Sequence, residues 1–468
     1  MRADAEARGS AATGELGKTV LDRFLRLFAD VRAGEGITAV LLMLNIFLLL
    51  ASYYLLKTIR EPLILTTSGG AEVKSYSSAA IAAILIVLVP VYSALASRVS
   101  RVRLINGVTA FFIACLVAFF LLNRAGVPIG VAFFIWVGIF NLMVIAQIWA
   151  FANDVYTVEQ GKRLFAIVGV GASLGAIAGS FFTGQLVDQL GPYPFMLAAA
   201  VLLGVTMILT NVINLREKAS AEAGSLTAGD RAEREGSPAA SEGDGKKEDG
   251  KVRGRSGFAL VLSDRYLLLI AMLMLLVNVV NTTGEYILSK TVVDVYAAGQ
   301  AAGAQLDEKK VIGEFYGNYF TIVNILSALI QAFVVSRALK FLGVRGALFV
   351  MPMVSLLGYL SMAFIPVMGL IRGVKIAENS LDYSLQNTTR NALYLPTSRE
   401  AKYKAKQAND TFFVRLGDLL SAGLVFAGTT WLAFTRTSFA MVTVVLVLVW
   451  LVIAFALGKR FQSLAHTA

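Results

Sequence analysis

The chain of 468 residues is poor in the side chains that most enzymes and metalloproteins use for chemistry. It has one cysteine, Cys115, and one histidine, His466. A single thiol excludes a disulfide framework and a thiolate metal site. One histidine near the end of the chain excludes histidine metal clusters and Ser-His-Asp hydrolysis. We therefore expect neither an enzyme nor a bound cofactor or metal ion.

Charged residues are also scarce, at 16% of the chain, whereas 57% of the residues are hydrophobic and the mean hydropathy is +0.69. Apolar runs long enough to cross about 30 Å of hydrocarbon as helices recur along the sequence. These features predict an all-α, polytopic protein of the inner (cell) membrane, with the lipid bilayer as a partner. The net charge is +11. Most of the Lys and Arg residues lie in short loops beside helix ends, which the positive-inside rule explains, so nucleic acid is not an expected partner.

The apolar runs predict twelve transmembrane helices in two six-helix bundles. They lie near residues 36–58, 76–96, 104–123, 128–152, 164–187, 194–214, 266–288, 314–336, 344–364, 366–394, 410–434 and 438–458. The predicted organisation is an amphipathic segment at 1–35, bundles at 36–215 and 258–460, a disordered linker at 216–257 and a tail at 461–468. Alternate loops are basic, which predicts that both termini and the linker are cytoplasmic.

Two short sequence echoes indicate that the halves are repeats. Ser97-Arg98 is matched by Ser336-Arg337, and Thr157-Val158-Glu159 by Thr397-Ser398 with Glu400, in both cases about 240 residues apart. Parallel six-helix repeats that hold a substrate near mid-membrane are the plan of the major facilitator superfamily. The sequence thus predicts an architecture of the major facilitator type.

Lys57 and Arg60 lie three residues apart at the end of the first helix, on roughly one face. They predict either a phosphate clamp, because guanidinium matches phosphate geometry, or an anchor at the lipid headgroups. The next connection, from Leu65 to Lys74, is expected to face outward, on the side opposite the cytoplasm.

Asn141, in the fourth helix, predicts either a contact to a base or sugar, or a hydrogen bond to a neighbouring helix. Glu285, in the seventh helix, predicts either a cargo or coupling contact or an ion pair with Lys290.

The tenth helix carries the densest charge at membrane depth. Lys375, Glu378, Asp382, Gln386 and Arg390 step by three or four residues and so share a face. Such ions in a spanning helix indicate either an internal salt-bridge network or a polar path for cargo. Beyond them, the cytoplasmic cluster Lys402, Lys404 and Lys406 would attract anions by its field.

Residues 382–410 read DYSLQNTTRNALYLPTSREAKYKAKQAND. This segment resembles the signature of the non-mitochondrial ATP/ADP translocase family, with the Tyr-Ser-Leu, Tyr-x-Pro, Glu-x-Lys and Lys-x-Lys elements in register. Further similarity lies around residues 57–66, 151–153 and 162–175. The resemblance implies a facilitator-type fold of twelve helices and the exchange of nucleotides across a membrane.

Position by position, the resemblance implies that Arg60 stands for a family lysine that binds phosphate. It also implies that Glu285 matches the glutamate of the seventh helix, and that Lys404 or Lys406 matches the lysine of Lys-x-Lys. Two positions depart from the family. Val137 or Asn141 occupies the place of a glutamate, and Asp382 replaces a lysine and so reverses a charge.

The sequence therefore predicts a secondary transporter that exchanges a small anionic substrate, such as ATP, ADP or a related phosphorylated anion, by alternating access. One alternative is a proton-coupled transporter of another organic solute that uses Glu285 and Asp382. Another is a transport-inactive membrane sensor or scaffold. The sequence does not determine the oligomeric state, and a monomer is consistent with the sequence.

Overall fold

The computed structural model describes residues 32, 35–96, 98–235, 257–304, 307–398 and 400–467. Every regular element within these ranges is a helix, which confirms the predicted all-α class. The amphipathic segment predicted at 1–35 lies almost wholly outside the described residues. The same holds for residues 236–256 of the predicted linker.

Six helices form the N-terminal half. They are α1 (Gly36–Leu65), α2 (Gly70–Ala96), α3 (Arg101–Arg124), α4 (Gly130–Val155), α5 (Val158–Leu190) and α6 (Pro194–Glu235). Because α6 continues to Glu235, residues 216–235 are helical where the sequence predicted a disordered linker. Ala, Glu and Arg are frequent in this stretch, and their high helix propensity lets the helix continue beyond its apolar part.

The C-terminal half begins with the short helix α7 (Gly257–Ser263). It continues with α8 (Arg265–Ala301), α9 (Glu308–Leu329), α10 (Val335–Phe364), α11 (Met368–Leu381), α12 (Asn387–Ala392), α13 (Lys406–Ala408), α14 (Val414–Thr430) and α15 (Arg436–Thr467). Four π-helical segments interrupt these helices, at Ile330–Val334, Asp382–Gln386, Ala401–Ala405 and Asn409–Phe413. Such segments frequently occur at functional sites.

Ten helical stretches of the described chain are long and apolar enough to cross a membrane. One of them, Glu308–Phe364, has 57 residues and would be about 86 Å long at 1.5 Å per residue, far more than one crossing needs. Its backbone breaks at Gly343, whose φ of 65° is a conformation that glycine adopts without strain. If this stretch is counted as two crossings, the ten stretches make eleven crossings. The charged helices α11 and α12 together make one more, so the architecture is consistent with the twelve predicted transmembrane helices.

The glycines of α5 pack directly against the backbone of α1. A Cβ atom at Gly171, Gly175 or Gly179 would lie between 2.2 and 2.4 Å from a carbonyl oxygen of α1. Only glycine allows the two helices to come so close. The glycines of α5, spaced four residues apart, therefore let α1 and α5 pack closely.

At the start of α1, Glu35 joins the first helix to the fifth. The Arg163 guanidinium lies 2.9 Å from its carboxylate, and the Gln160 amide donates to it at 3.2 Å. Burial alone would raise the pKa of Glu35, but the hydrogen bonds from Arg163, the Arg32 backbone and Gln160 hold this pKa below its ordinary value. The carboxylate is therefore charged near neutral pH and holds the two helix ends together.

With twelve crossings, Gly36 and Thr467 lie on the same side of the membrane, called here the terminal side. The two halves meet where α5 packs against α9 and α2 against α14. A Cβ atom at Gly317 would lie 2.3 Å from the Cα of Gly184, so α5 and α9 touch through their backbones.

Polar contacts between the halves concentrate away from the terminal side. Hydrogen bonds that cross from one half to the other include those that join Lys57 to Tyr383, Glu72 to Tyr286, Lys74 to Ser289, Tyr193 to Lys309, and Asn324 to both Ala176 and Ser180. These residues lie in the middle of the helices or near the ends opposite the terminal side. The halves are therefore closed against each other on the opposite side.

Candidate functional site

Lys57 of α1 is a buried cation surrounded by aromatic rings. Its side chain is 7% exposed, and its Nζ lies 4.4 Å from the ring centre of Phe320 and 4.9 Å from that of Tyr54. It donates to the hydroxyl of Tyr383, in the other half, at 3.2 Å. Among the described residues, no carboxylate lies within ion-pair distance of this ammonium group. Lys57 thus lies between the halves, and the contacts that stabilise its positive charge are with aromatic ring faces and one hydroxyl group.

One turn further along α1, Arg60 begins a chain of ionic contacts. Its Nε lies 3.1 Å from Oε1 of Glu61, and its guanidinium lies 4.5 Å from the ring centre of Phe134. The second carboxylate oxygen of Glu61 lies 2.7 Å from Nζ of Lys74. Glu61 is thus shared between two cations and balances only one of them.

Lys74 lies within a helix, whereas the sequence placed it in the connection between the first two helices. It belongs to α2, which already begins at Gly70, six residues before the predicted start. Its side chain is 8% exposed and donates to Ser289 of the C-terminal half at 2.9 Å. Lys74 therefore belongs to the buried ionic cluster.

Glu285 of α8 faces the same region from the C-terminal half. Its carboxylate accepts hydrogen bonds from Asn379 at 2.8 Å and from the Tyr319 hydroxyl at 3.3 Å, and it lies 3.7 Å from Nζ of Lys375. The side chain remains 23% exposed. The alternative pairing with Lys290 is not observed, since Lys290 contacts Glu72 and Asp294 instead.

Lys375 and Glu378 form a closed network within the C-terminal half. Their side chains are fully buried and lie 2.7 Å apart. Lys375 also donates to the side chain of Asn281, while Glu378 accepts from Ser355 and Tyr359. Because all these groups satisfy one another, both residues are placed as structural supports of α11 behind Glu285.

Asp382 and Arg390 pair with each other at 3.4 Å at either end of the π-helical segment and α12. Both remain partly exposed, at 14% and 21% of their side chains. Tyr383, next to Asp382, is 41% exposed although its hydroxyl reaches Lys57 across the interface. Since that side chain points at the other half, its exposed surface faces the space between the halves.

Asn141 and the three predicted cytoplasmic lysines lie apart from this cluster. Asn141 is partly buried on α4, and among the described residues it has no recorded hydrogen bond. Lys402 is exposed, and Lys404 contacts Glu400 at 3.0 Å. Lys404 also lines a cavity of about 400 Å³ that lies between the two halves. Its walls come from Leu85 and Val89 of α2 and from Arg415 of α14, among others.

Sequence reasoning missed Glu61, Lys74 and the ring cluster of Tyr54, Phe320 and Tyr383. Glu61 directly follows Arg60 within the segment that resembles the translocases, so its position carried a usable signal. The rings come from three separate helices, and sequence spacing cannot bring such residues together. Among the described residues, no cluster of three or more His, Cys, Asp or Glu side chains is arranged to hold a metal ion.

Comparison with known proteins extends this description. The family model of the Major Facilitator Superfamily matches residues 38–376, and the model described as TLC ATP/ADP transporter matches residues 349–461. The second match covers the segment whose signature carried the resemblance to the non-mitochondrial translocases. That resemblance is confirmed.

Among curated proteins, the chain is similar to ADP,ATP carrier protein 1 of Chlamydia pneumoniae, with 23% identity over 69% of this chain and 65% of the carrier. It is equally similar to ADP,ATP carrier protein 1 of Chlamydia trachomatis, with 23% identity over 69% of this chain and 63% of the carrier. The chain thus spans slightly less than two thirds of the length of these relatives.

Solved transporter structures share the fold at low sequence identity. The nucleoside transporter NupG superposes with a TM-score of 0.60 at 13% identity, over 91% of this chain and 98% of its own. A bacterial homologue of the human lysosomal transporter Spinster, in an inward-facing and unoccupied conformation, gives 0.59 at 11% identity, over 92% and 98%. With a family model that matches well over half of its length and an architecture of two packed helical halves, the chain belongs to the Major Facilitator Superfamily.

Proposed function

We propose that this protein is a secondary transporter that exchanges nucleotides, or closely related phosphorylated anions, by alternating access. The observation that carries the proposal is the pair Lys57 and Arg60. These two cations lie on one face of α1, and the carboxylate in ion-pair contact with Arg60, that of Glu61, is shared with Lys74. A site with surplus positive charge at membrane depth requires an anionic cargo to balance it.

The surroundings of the two cations suit a nucleotide in particular. Tyr54, Phe320 and Tyr383 lie around Lys57, and Phe134 lies beside Arg60. Aromatic faces stack on nucleobases, while guanidinium and ammonium groups bind phosphate oxygens. One site thus offers both kinds of contact that a nucleotide needs. The match to the ATP/ADP transporter model and the similarity to ADP,ATP carriers support the same cargo class.

The charge reversal at Asp382 affects which nucleotide fits. Asp382 is held by Arg390, so the two charges largely cancel and neither attracts a polyanion. Attraction of the phosphates then depends on Lys57 and Arg60. The positive field of Lys402, Lys404 and Lys406 attracts anions toward the site from outside. In this proposal Glu285, partly exposed beside the site, contacts the cargo or couples its movement.

Closure on the opposite side supports a state in which the site opens toward the terminal side. We propose that this side is the cytoplasm and that the protein lies in the inner membrane of the cell. Cargo would enter past the cavity that Lys404 lines and reach Lys57. Transport needs no covalent step on the nucleotide, so no hydrolysis is proposed.

The test is uptake of labelled cargo by purified full-length protein in liposomes. Exchange predicts saturable uptake of labelled ATP or ADP that rises when the liposomes are preloaded with unlabelled nucleotide. Uptake of another solute that needs only a proton gradient would instead support proton coupling through Glu285 and Asp382. If neither nucleotides nor other organic anions move, the protein is a sensor or scaffold and the transport proposal fails.

A further inference from the structure

Glu61 holds two cations with different oxygens of one carboxylate. Oε1 contacts Arg60 at 3.1 Å, and Oε2 contacts Lys74 at 2.7 Å. The Glu61 side chain is 1% exposed, so water does not screen these contacts as it does at a surface. A change at one cation is therefore transmitted to the other through the shared carboxylate.

The two cations have different surroundings. Arg60 lies one turn from Lys57 in the proposed cargo site, whereas Lys74 reaches across the interface. Its Nζ donates to Ser289 of α8 at 2.9 Å, and the Ser289 hydroxyl lies 3.0 Å from that of Tyr316 on α9. Lys74 thus links α2 to two helices of the other half, on the side where the halves are closed.

Glu72 strengthens the same closure from the same helix. Its carboxylate accepts from the Tyr286 hydroxyl at 2.9 Å and lies 3.4 Å from Nζ of Lys290. Both partners belong to α8. The first turns of α2 therefore carry two of the polar links that hold the halves together on the opposite side, and Glu61 is the residue that joins one of these links to the cargo site.

We propose that Glu61 is a positioning residue that couples anion binding at Arg60 to closure of the opposite side through Lys74. An anion that binds Arg60 competes with Glu61 for the guanidinium and adds negative charge beside the carboxylate. The Glu61–Lys74 pair and the link to Ser289 then rearrange, and the halves are released to open on the opposite side. Without an anion the links persist and the empty carrier does not reorient. This inference depends on the proposed function only in requiring that an anion binds Arg60.

The test measures the separation of the halves on the opposite side by the distance between two spin labels. The labels are placed at exposed positions near the ends of α3 and α8, with Arg124→Cys and Ala298→Cys in a Cys115→Ser background of the full chain. When Glu61 is not substituted, addition of ADP is expected to increase the long-distance population, that is, the fraction of molecules in which the two labels are far apart because the halves have opened on the opposite side. A coupling of ordinary size corresponds to a change of roughly 5- to 150-fold in the equilibrium.

In the variant Glu61→Gln, the long-distance population should already be large without any anion, because the neutral amide no longer holds Lys74 and Arg60. Preloaded nucleotide should then no longer stimulate uptake into liposomes. The matched control is Glu159→Gln, which removes an exposed ion pair with Arg32 in the same half and should leave the distance distribution and its response to ADP unchanged. Equal responses to ADP in the unsubstituted protein and in Glu61→Gln would overturn the proposal.

If Glu61→Gln does not fold, the double variant Glu61→Gln with Lys74→Gln removes the unpaired buried charge. It should bind ADP through Lys57 and Arg60 without any ADP-dependent change in distance, and a retained change would overturn the proposal. Inorganic phosphate is the second probe. A response of the unsubstituted protein to phosphate but not to ADP would support the coupling and contradict the nucleotide proposal, whereas a response to neither anion would overturn the coupling.

Discussion

At the scale of single residues, Lys57 and Arg60 differ from every other buried cation of the described chain in how their charge is balanced. Lys375 has Glu378 at 2.7 Å, and Lys74 has Glu61 at the same distance. Lys57 has only aromatic rings and a hydroxyl around it, and Arg60 shares its carboxylate. Burial of charge is expensive, so a cargo that balances this charge gains binding energy from a site prepared in advance.

Substitution Arg60→Ala should weaken nucleotide binding. The loss of hydrogen bonds to a charged group costs about 1.5–3 kcal/mol, which corresponds to a dissociation constant about 10- to 100-fold higher. Titration of the purified protein with ADP measures this constant. Arg124→Ala is the control, because Arg124 is an exposed cation at the end of α3 that contacts the ring of Phe120. Equal losses in both variants would show that net charge, and not this site, governs affinity.

Glu378→Gln should act on stability instead. It leaves the ammonium of Lys375 buried without its closest anion, and the removal of one partner from a buried ion pair costs about 3–5 kcal/mol. The melting temperature in detergent should therefore fall by several degrees. The control Glu400→Gln breaks a partly exposed pair with Lys404 and should change little. A melting temperature that is the same in both variants would contradict the structural role assigned to Glu378.

The sequence could identify the residues of the tenth helix as charged and on one face, but it could not separate their roles. Lys375 and Glu378 turn inward to Asn281, Ser355 and Tyr359. A π-helical segment begins at Asp382 and changes the helical register before Arg390. Periodicity of 3.6 residues assumes an uninterrupted α-helix. A register change within the helix is set by tertiary packing and has no reliable signal in one sequence.

At the scale of elements, Gly184 of α5 and Gly317 of α9 make a close backbone contact between the halves. Gly317→Leu would place side-chain atoms where the backbone of α5 now lies. Overpacking of this kind costs about 1–3 kcal/mol, so the equilibrium constant that favours the population closed on the opposite side should fall roughly 5- to 150-fold. Spin-label distances between α3 and α8 report this population, and uptake should fall with it.

Gly204→Leu is the matched control for that prediction. Among the described residues, and apart from the adjacent backbone of its own helix, nothing lies within 4 Å of a Cβ atom placed at Gly204, so a larger side chain there meets open space. The distance distribution and the uptake of this variant should equal those of the unsubstituted protein. If Gly317→Leu also leaves both unchanged, the contact between α5 and α9 does not govern closure.

Hydropathy identified most elements because long apolar runs are explicit in the sequence. It failed where composition and backbone geometry diverge. The helix α6 continues through a polar stretch to Glu235, where the composition predicted a linker. The break at Gly343, in contrast, lies where the sequence predicted the boundary between the helices at 314–336 and 344–364.

At the scale of the whole molecule, the halves form one site because each contributes what the other lacks. The N-terminal half supplies Lys57 and Arg60, and the C-terminal half supplies Glu285, Tyr383 and Phe320. The twofold echo in the sequence predicted two similar bundles, and the described structure has two helical halves that meet at this site. Which residues meet across the interface depends on the docking of the halves, which local sequence does not encode.

The central claim is that a nucleotide binds between the halves against Lys57 and Arg60. Photolabelling of the purified full-length protein with an azido-adenine nucleotide, followed by mass spectrometry of the labelled peptides, tests this directly. The account predicts labels on peptides from both halves, around Tyr53 and Tyr54 and around Tyr383, and their suppression by unlabelled ADP. Labels confined to the surface cluster of Lys402, Lys404 and Lys406, or labels that ADP does not suppress, would contradict it.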